Sequence, residues 1–391
     1  EPSLTDTAAI VFTSGSTGPS KGVVYTHAQL EAQRDAVRDA FELTRDDKLV
    51  VAFAPFSVLA PALGIPSVVP TMNVTKPSKL VAQTLADAAR AIDATIVFAS
   101  PAVVATIAAT APDLDTVGRS ALQQIRSVAT AGAPVSPQLL VAAQPVFPAA
   151  HIFTPYGMTE VMPVTMASAR EIGAREIGAG EIGAGATPGS TGVCVGQPLP
   201  GVDVVICPVS APTGTMPAPV DADQLGEVWV RAAHASTGYD HLWFQQHHAF
   251  VGGWHRTGDV GHLDTHGRLW IEGRVDHLIH SSSGTVAPVQ TELQAETVPG
   301  VDHAAAVGIG PIGTQQLAVV ITGASMKSGS SAMVADPTIT KAIRAAVTAD
   351  VAAVLVAPRM PVDRRHNSKI DRTKVQQWAD AVLRGARPPR L

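Results

Sequence analysis

The 391-residue chain is 46% hydrophobic but only 4% aromatic, so Ala, Val, Ile and Leu must fill its core. A net charge of −5 gives no electrostatic case for nucleic-acid binding, and two cysteines, Cys194 and Cys207, are too few for a disulfide framework. No apolar run reaches the ~18 residues of a membrane span, no signal peptide stands at Glu1, and a reducing cytoplasm is the expected compartment.

The apolar run Ala8–Phe12 reads as a buried strand and Lys21–Thr26 as a second one. Between them lies Thr13-Ser14-Gly15-Ser16-Thr17-Gly18-Pro19-Ser20-Lys21-Gly22. Glycines let backbone N–H groups surround an anion, hydroxyls add donors and Lys21 adds charge, which suits a polyphosphate. The spacing is not that of a Walker A loop, and by itself such a cluster is as readily a flexible turn. Thr26 is placed to cap a helix over about 27–43, with Leu30, Val37 and Phe41 near one face. A buried strand follows over 49–54. The apolar stretch Pro55–Gly64 reads equally as core or as a wall for an acyl chain.

Next comes an alternation: helix 77–91, strand 95–99, helix 101–110, strand 127–130, helix 137–146 and strand 151–154. Strands alternating with helices predict a layered α/β domain. Gly132 and Ala133 fall at a strand-to-helix turn. Pro155-Tyr156-Gly157-Met158-Thr159-Glu160 ends a strand, where such folds place ligands. An aromatic there can stack on a base, a threonine hydroxyl can donate to phosphate, and a glutamate can hold Mg²⁺. Residues 170–186 hold three copies of a five-residue unit ending Glu-Ile-Gly-Ala, which predicts a surface loop of variable length.

Residues 192–207 and 225–232 read as strands of a β-rich part. Asp259, in Gly253-Trp254-His255-Arg256-Thr257-Gly258-Asp259-Val260-Gly261, has two acceptor oxygens suited to a pair of hydroxyl donors. His241, His247, His248, His255, His262 and His266 form no metal-binding pattern and are expected in solvated loops. A smaller α+β part follows, with helix 289–297, strands 303–309 and 315–322, helix 337–350 and a strand near Val354.

Taken in order, these stretches resemble the motifs of the adenylate-forming superfamily, which includes acyl-CoA synthetases, luciferases and nonribosomal adenylation domains. The resemblance runs over nearly the whole chain. It covers the Ser/Thr/Gly loop, Tyr156-Gly157-Met158-Thr159-Glu160, Arg256-Thr257-Gly258-Asp259, Gly273-Arg274-Val275-Asp276 and Asn367-Ser368-Lys369-Ile370-Asp371-Arg372. It implies a layered α/β large domain with a β-rich subdomain over 1–275, lacking its usual N-terminal portion. It also implies a small, mobile α+β cap over 276–391, hinged at Asp276. The chain is thus expected to be the later part of a longer polypeptide, with apolar surface covered by that missing part or by another chain.

The same resemblance implies ATP and Mg²⁺ as cofactors. Thr13, Ser14, Gly15, Ser16, Thr17, Gly18 and Lys21 would cradle the phosphates. Gly132, Ala133, Tyr156 and Gly157 would face the base, Asp259 would accept from both ribose hydroxyls, and Arg274 would contact ribose or phosphate. Thr159, Glu160 and Lys369 would be catalytic, with Glu160 also holding the metal. The chain departs from the family pattern at Pro19-Ser20, at Ser368 in place of glycine, and near Val58, where many acyl-CoA synthetases have a histidine.

The wording of Phe56–Gly64, Val97–Ala102, Tyr156–Val164 and Gly192–Gly201 is similar to that of β-lactone synthetases of olefin and lipid-lactone pathways. This implies adenylation of a long-chain 2-alkyl-3-hydroxy acid followed by ring closure. A fatty acyl-CoA ligase using CoA, and a non-catalytic nucleotide-binding remnant, remain alternatives. The expected partner is a lipid acid, with an upstream polypeptide segment or pathway enzymes beside it.

Overall fold

The computed structural model describes residues 2–13, 20–53, 56–57, 59–74, 76–132, 135, 137–169, 192–212, 214–323, 333–362 and 370–391. Among these residues, one 12-stranded sheet dominates the large domain. Ser67–Val68, Leu49–Ala52, Ile96–Ala99, Ser127–Thr130 and His151–Met158 pair in parallel, in that order. Leu49–Ala52, Ile96–Ala99 and Ser127–Thr130 are buried at every position, as strands covered on both faces must be. On one face Leu85, Ile107, Leu122 and Phe147 pack against Val50, Val97 and Val128; on the other Phe41, Phe56 and Leu63 pack against Val51 and Phe98. Phe56 stacks on Phe98 at 3.8 Å.

The β-rich part is a continuation of this sheet rather than a separate layer. His151–Met158 turns back antiparallel into Val161–Ser168, and Val193–Pro198, Leu269–Arg274, Trp254–Leu263, Gly226–Ala232 and Val202–Cys207 extend the same path. The strand expected to end at 154 therefore runs through Tyr156 and Gly157, and Thr159-Glu160 form the turn of a hairpin.

Thr7–Phe12, Gly22–Thr26 and Gly238–Tyr239 form a three-stranded sheet. Thr7–Phe12, expected to be buried, is its edge, with Ile10, Val11 and Phe12 exposed: among the described residues it pairs only with Gly22–Thr26. The helix after it is His27–Ala40, and Thr26 and Gln29 form a reciprocal capping box.

The helix expected over 77–91 divides at the extended Leu80 into the single turn Pro77–Lys79 and Ala82–Ile92, because the hydroxyl of Thr110 captures the N–H of Ala82. Helices Thr116–Gln123 and Arg372–Leu383, each capped by the aspartate before it, were not anticipated. In the smaller C-terminal domain His303–Ile309, Gln316–Thr322 and Val351–Val356 make a three-stranded sheet, whose two faces pack around Ile321 and Ile343 and around Leu355 and Trp378.

Candidate active site

Two groups of side chains lie at the end of the strand His151–Met158, one at Tyr156 and the other at the turn Thr159-Glu160. The first is built on the strand Trp254–Leu263 and its neighbour Leu269–Arg274, which place Asp259 opposite Arg274 in register. The Asp259 carboxylate accepts the Tyr156 hydroxyl at 2.7 Å and lies 3.3 Å from an Arg274 guanidinium nitrogen. Arg274 also donates to the Thr257 carbonyl at 3.2 Å, while its Nε is buried without a partner among the described residues. Gly258 is left-handed, and a Cβ there would meet the Arg274 guanidinium at 2.9 Å, so only glycine lets the arginine lie across this turn. Asp259 holds Arg274 firmly protonated, and burial together with Asp259 keeps the Tyr156 hydroxyl protonated. Each carboxylate has about four lone-pair sites, so Asp259 retains capacity for two hydroxyl donors beyond Tyr156.

The second group surrounds the hairpin turn. Gly157 has no room for a side chain, since a Cβ would meet the Val161 carbonyl at 2.9 Å. The Tyr25 hydroxyl donates to the Thr159 carbonyl at 2.6 Å, and Ser236 N–H donates to the Glu160 carbonyl at 2.8 Å. The Glu160 side chain is 8% exposed and accepts the Tyr239 hydroxyl at 2.7 Å. Lys21 lies with its ammonium 5.0 Å from the centre of the Tyr239 ring. Thr13 and Lys21 close the base of the glycine-rich loop: Thr13 N–H donates to the Lys21 carbonyl at 2.9 Å, and Lys21 N–H to the Thr13 hydroxyl at 3.0 Å.

Among the described residues no cation forms an ion pair with Glu160, although the Arg274 guanidinium lies within Coulombic reach, so the buried carboxylate keeps hard oxygen donors for a ligand. That donor fits Mg²⁺, which typically takes one or two carboxylates and completes its shell with substrate phosphates and water. No group of three metal-ligating side chains occurs among the described residues.

Thr13, Lys21, Tyr156, Gly157, Thr159, Glu160, Asp259 and Arg274 thus come together, with Gly132 just past the end of Ser127–Thr130. Ser14, Gly15, Ser16, Thr17, Gly18, Ala133, Val58, the repeat at 170–186 and Lys369 lie outside the described residues. Asp276 is exposed on the single turn Val275–His277. Arg372, three residues after Lys369, pairs with Glu292.

The expected solvation of the histidines fails for His255 and His262. Both are 3% exposed, because they sit inside the strand Trp254–Leu263 rather than in a loop. Tyr25 and Tyr239 were not anticipated as site residues. The available signal was scarcity, since the chain has three tyrosines and all three reach this site.

The chain matches the family described as AMP-binding enzyme over residues 1–240. It is 34% identical over 400 residues to an olefin beta-lactone synthetase of Stenotrophomonas maltophilia, covering 97% of this chain and 68% of the relative. It is 33% identical over 391 residues to the olefin beta-lactone synthetase of Xanthomonas campestris pv. campestris, covering 96% and 67%. Among solved structures it resembles the O-succinylbenzoate coenzyme A synthetase of Bacillus subtilis in complex with ATP and magnesium ion, with a TM-score of 0.72 at 19% identity. That match covers 95% of this chain and 70% of the other, and at such identity the likeness is one of fold.

Proposed function

The chain belongs to the AMP-binding enzyme family and forms acyl-adenylates from ATP, and on that premise we propose that its substrate is a long-chain 2-alkyl-3-hydroxy acid, which it closes to a β-lactone. The observation that carries this reading is the similarity of almost the entire chain to two olefin beta-lactone synthetases.

Tyr156, Asp259 and Arg274 hold the nucleoside in this reading, with the ribose hydroxyls donating to Asp259. The acid's carboxylate oxygen attacks the α-phosphorus and pyrophosphate leaves. Lys21, at the base of the loop, and Lys369, from the small domain, offset the negative charge that develops. Glu160 would hold Mg²⁺, which supplies further neutralisation of phosphate charge. Between the two steps the small domain, residues 276–391, turns about the exposed Asp276 and withdraws Lys369.

In the second step the substrate's own 3-hydroxyl oxygen bonds to the acyl carbon. The bond from that carbon to the AMP phosphate oxygen breaks, and the hydroxyl proton passes to water. Effective molarities for oriented intramolecular attack reach ~10⁵ M or more, which offsets part of the strain of a four-membered ring.

With ATP, Mg²⁺ and a 2-alkyl-3-hydroxy acid, the enzyme is expected to release pyrophosphate and AMP without CoA. The organic product should be one water lighter than the acid, and Lys369→Ala should abolish most pyrophosphate release. A requirement for CoA with a thioester product would replace this reading by that of an acyl-CoA ligase. Absence of pyrophosphate release with any lipid acid would leave a nucleotide-binding remnant.

A further inference from the structure

Tyr239 is assigned no role by the motifs, yet two elements of the site converge on it. Its hydroxyl donates to Glu160 Oε1 at 2.7 Å, and its ring carries the Lys21 ammonium at 5.0 Å, within cation–π range. The tyrosine is 5% exposed and its ring is wedged edge-on against Phe250 at 5.4 Å. Its strand, Gly238–Tyr239, zips antiparallel onto Gly22–Thr26, the strand that leaves the glycine-rich loop. The side chain therefore has little freedom to turn away from either partner.

We propose that Tyr239 is a positioning residue that fixes the Glu160 carboxylate for the divalent cation and the Lys21 ammonium for the phosphates, so that metal and polyphosphate are received in one geometry. This rests on the reading of Glu160 as a metal ligand. Buried groups that orient a ligating carboxylate commonly change metal affinity by 10–100-fold when removed.

Tyr25 supplies the control, because it braces the same turn through the Thr159 carbonyl and does not touch the carboxylate. The experiment is calorimetric titration of ATP into the full chain, in EDTA and across a Mg²⁺ series, with thermal unfolding run alongside. Tyr239→Phe keeps the ring beneath Lys21 and should raise the Mg²⁺ concentration for half-maximal enhancement of ATP binding about tenfold. Its metal-free ATP affinity should change by a much smaller factor than its Mg²⁺ dependence, since the ring beneath Lys21 remains. Tyr239→Leu should add a loss of about threefold in metal-free ATP affinity, since the cation–π contact goes too.

Equal effects of Tyr25→Phe and Tyr239→Phe on Mg²⁺ dependence would show general loosening of the turn and overturn the proposal. Loss of Mg²⁺ dependence in Glu160→Gln with none in Tyr239→Phe would overturn it while leaving the metal ligand in place. Wild-type ATP binding indifferent to Mg²⁺ would overturn the reading of Glu160 itself, and this inference with it.

Discussion

Glu160 in the large domain and Glu292 in the small one are equally hidden, at 8% and 7% exposure, but their surroundings are opposite. Glu292 takes two guanidinium donors from Arg372, at 3.0 and 2.5 Å, and the Ala306 N–H at 3.0 Å. Glu160 takes one neutral hydroxyl. Burying a carboxylate is costly unless it is paired and hydrogen-bonded. Glu292 has a cation and an N–H beside it inside the protein, although burial still outweighs them and raises its carboxyl, so its role is to fasten the last helix to Pro288–Glu296. Among the described residues Glu160 has no ion pair, with the Arg274 guanidinium only within Coulombic reach, and in the proposed reading a ligand cation completes the balance there. The contrast separates scaffold carboxylates from site carboxylates by what surrounds them, and substitution tests it.

The sharpest test is Glu160→Gln. If the charge awaits a cation, Mg²⁺-dependent pyrophosphate release should fall by about a hundredfold or more, at least the upper end of the 10–100-fold typical when a group that only orients a metal ligand is removed. The unfolding midpoint should hold or rise, since a buried charge without an ion pair has gone. A fall in the midpoint with activity retained would place Glu160 among the scaffold carboxylates and break the comparison.

Asp259 lies between the extremes, because it has a cation at 3.3 Å and a hydroxyl, yet belongs to the site. Asp259→Asn should lower ATP affinity about tenfold or more, as charged acceptors of hydrogen bonds contribute about 1.5–3 kcal/mol. Calorimetry with ATP and 2′,3′-dideoxy-ATP would check it. Equal wild-type affinity for the two ligands would remove the ribose contact.

The smallest effect is expected at Asp47, a scaffold carboxylate like Glu292. It accepts from Arg126 Nε and Nη2 at 2.8 and 2.6 Å, from the Thr44 N–H at 2.8 Å and from the Thr95 hydroxyl at 2.7 Å. Burial alone would raise its carboxyl, but the bonds from Arg126, Thr44 and Thr95 outweigh that and hold it well below the usual carboxylate range. The native state then binds fewer protons than the unfolded chain below the unfolded value of about 3.9. The stability this contributes is present above that pH and is lost as pH falls toward the native value. Asp47→Asn should cost about 1–2 kcal/mol near neutrality, at the modest end because solvent screens a partner that is 40% exposed. The gap in unfolding midpoint between wild type and variant should close as the solution is acidified. A constant gap would assign the effect to packing.

The proposed site was legible wherever its residues stand in consecutive motifs. Tyr156, Glu160, Asp259 and Arg274 stand in short motifs whose side chains suit a nucleotide, and the alternation of helices and strands gave the parallel half of the sheet. What stayed hidden depends on contacts between distant segments. The apolar run Thr7–Phe12 looks buried in sequence, yet it is an edge, because burial depends on whether a second neighbour exists. His255 and His262 look like solvated loop residues in a polar stretch, yet strand pairing on both sides encloses them. Tyr239 stands in no motif of the reading, and its link to Glu160 spans 79 residues.

The three tyrosine hydroxyls carry a further consequence, for the order in which the molecule acquires its properties. They close separations of 134, 103 and 79 residues, from Tyr25 to Thr159, Tyr156 to Asp259 and Tyr239 to Glu160. Chain entropy must be surrendered before such distant contacts return anything, so they favour late assembly. Helices such as His27–Ala40 and Pro101–Thr110 are local and need none of these closures. A half-folded chain can hold nearly all of its helix and still lack every one of the three bonds. In the proposed reading, nucleotide recognition is accordingly a property of the finished topology, and its appearance during refolding marks completion rather than collapse.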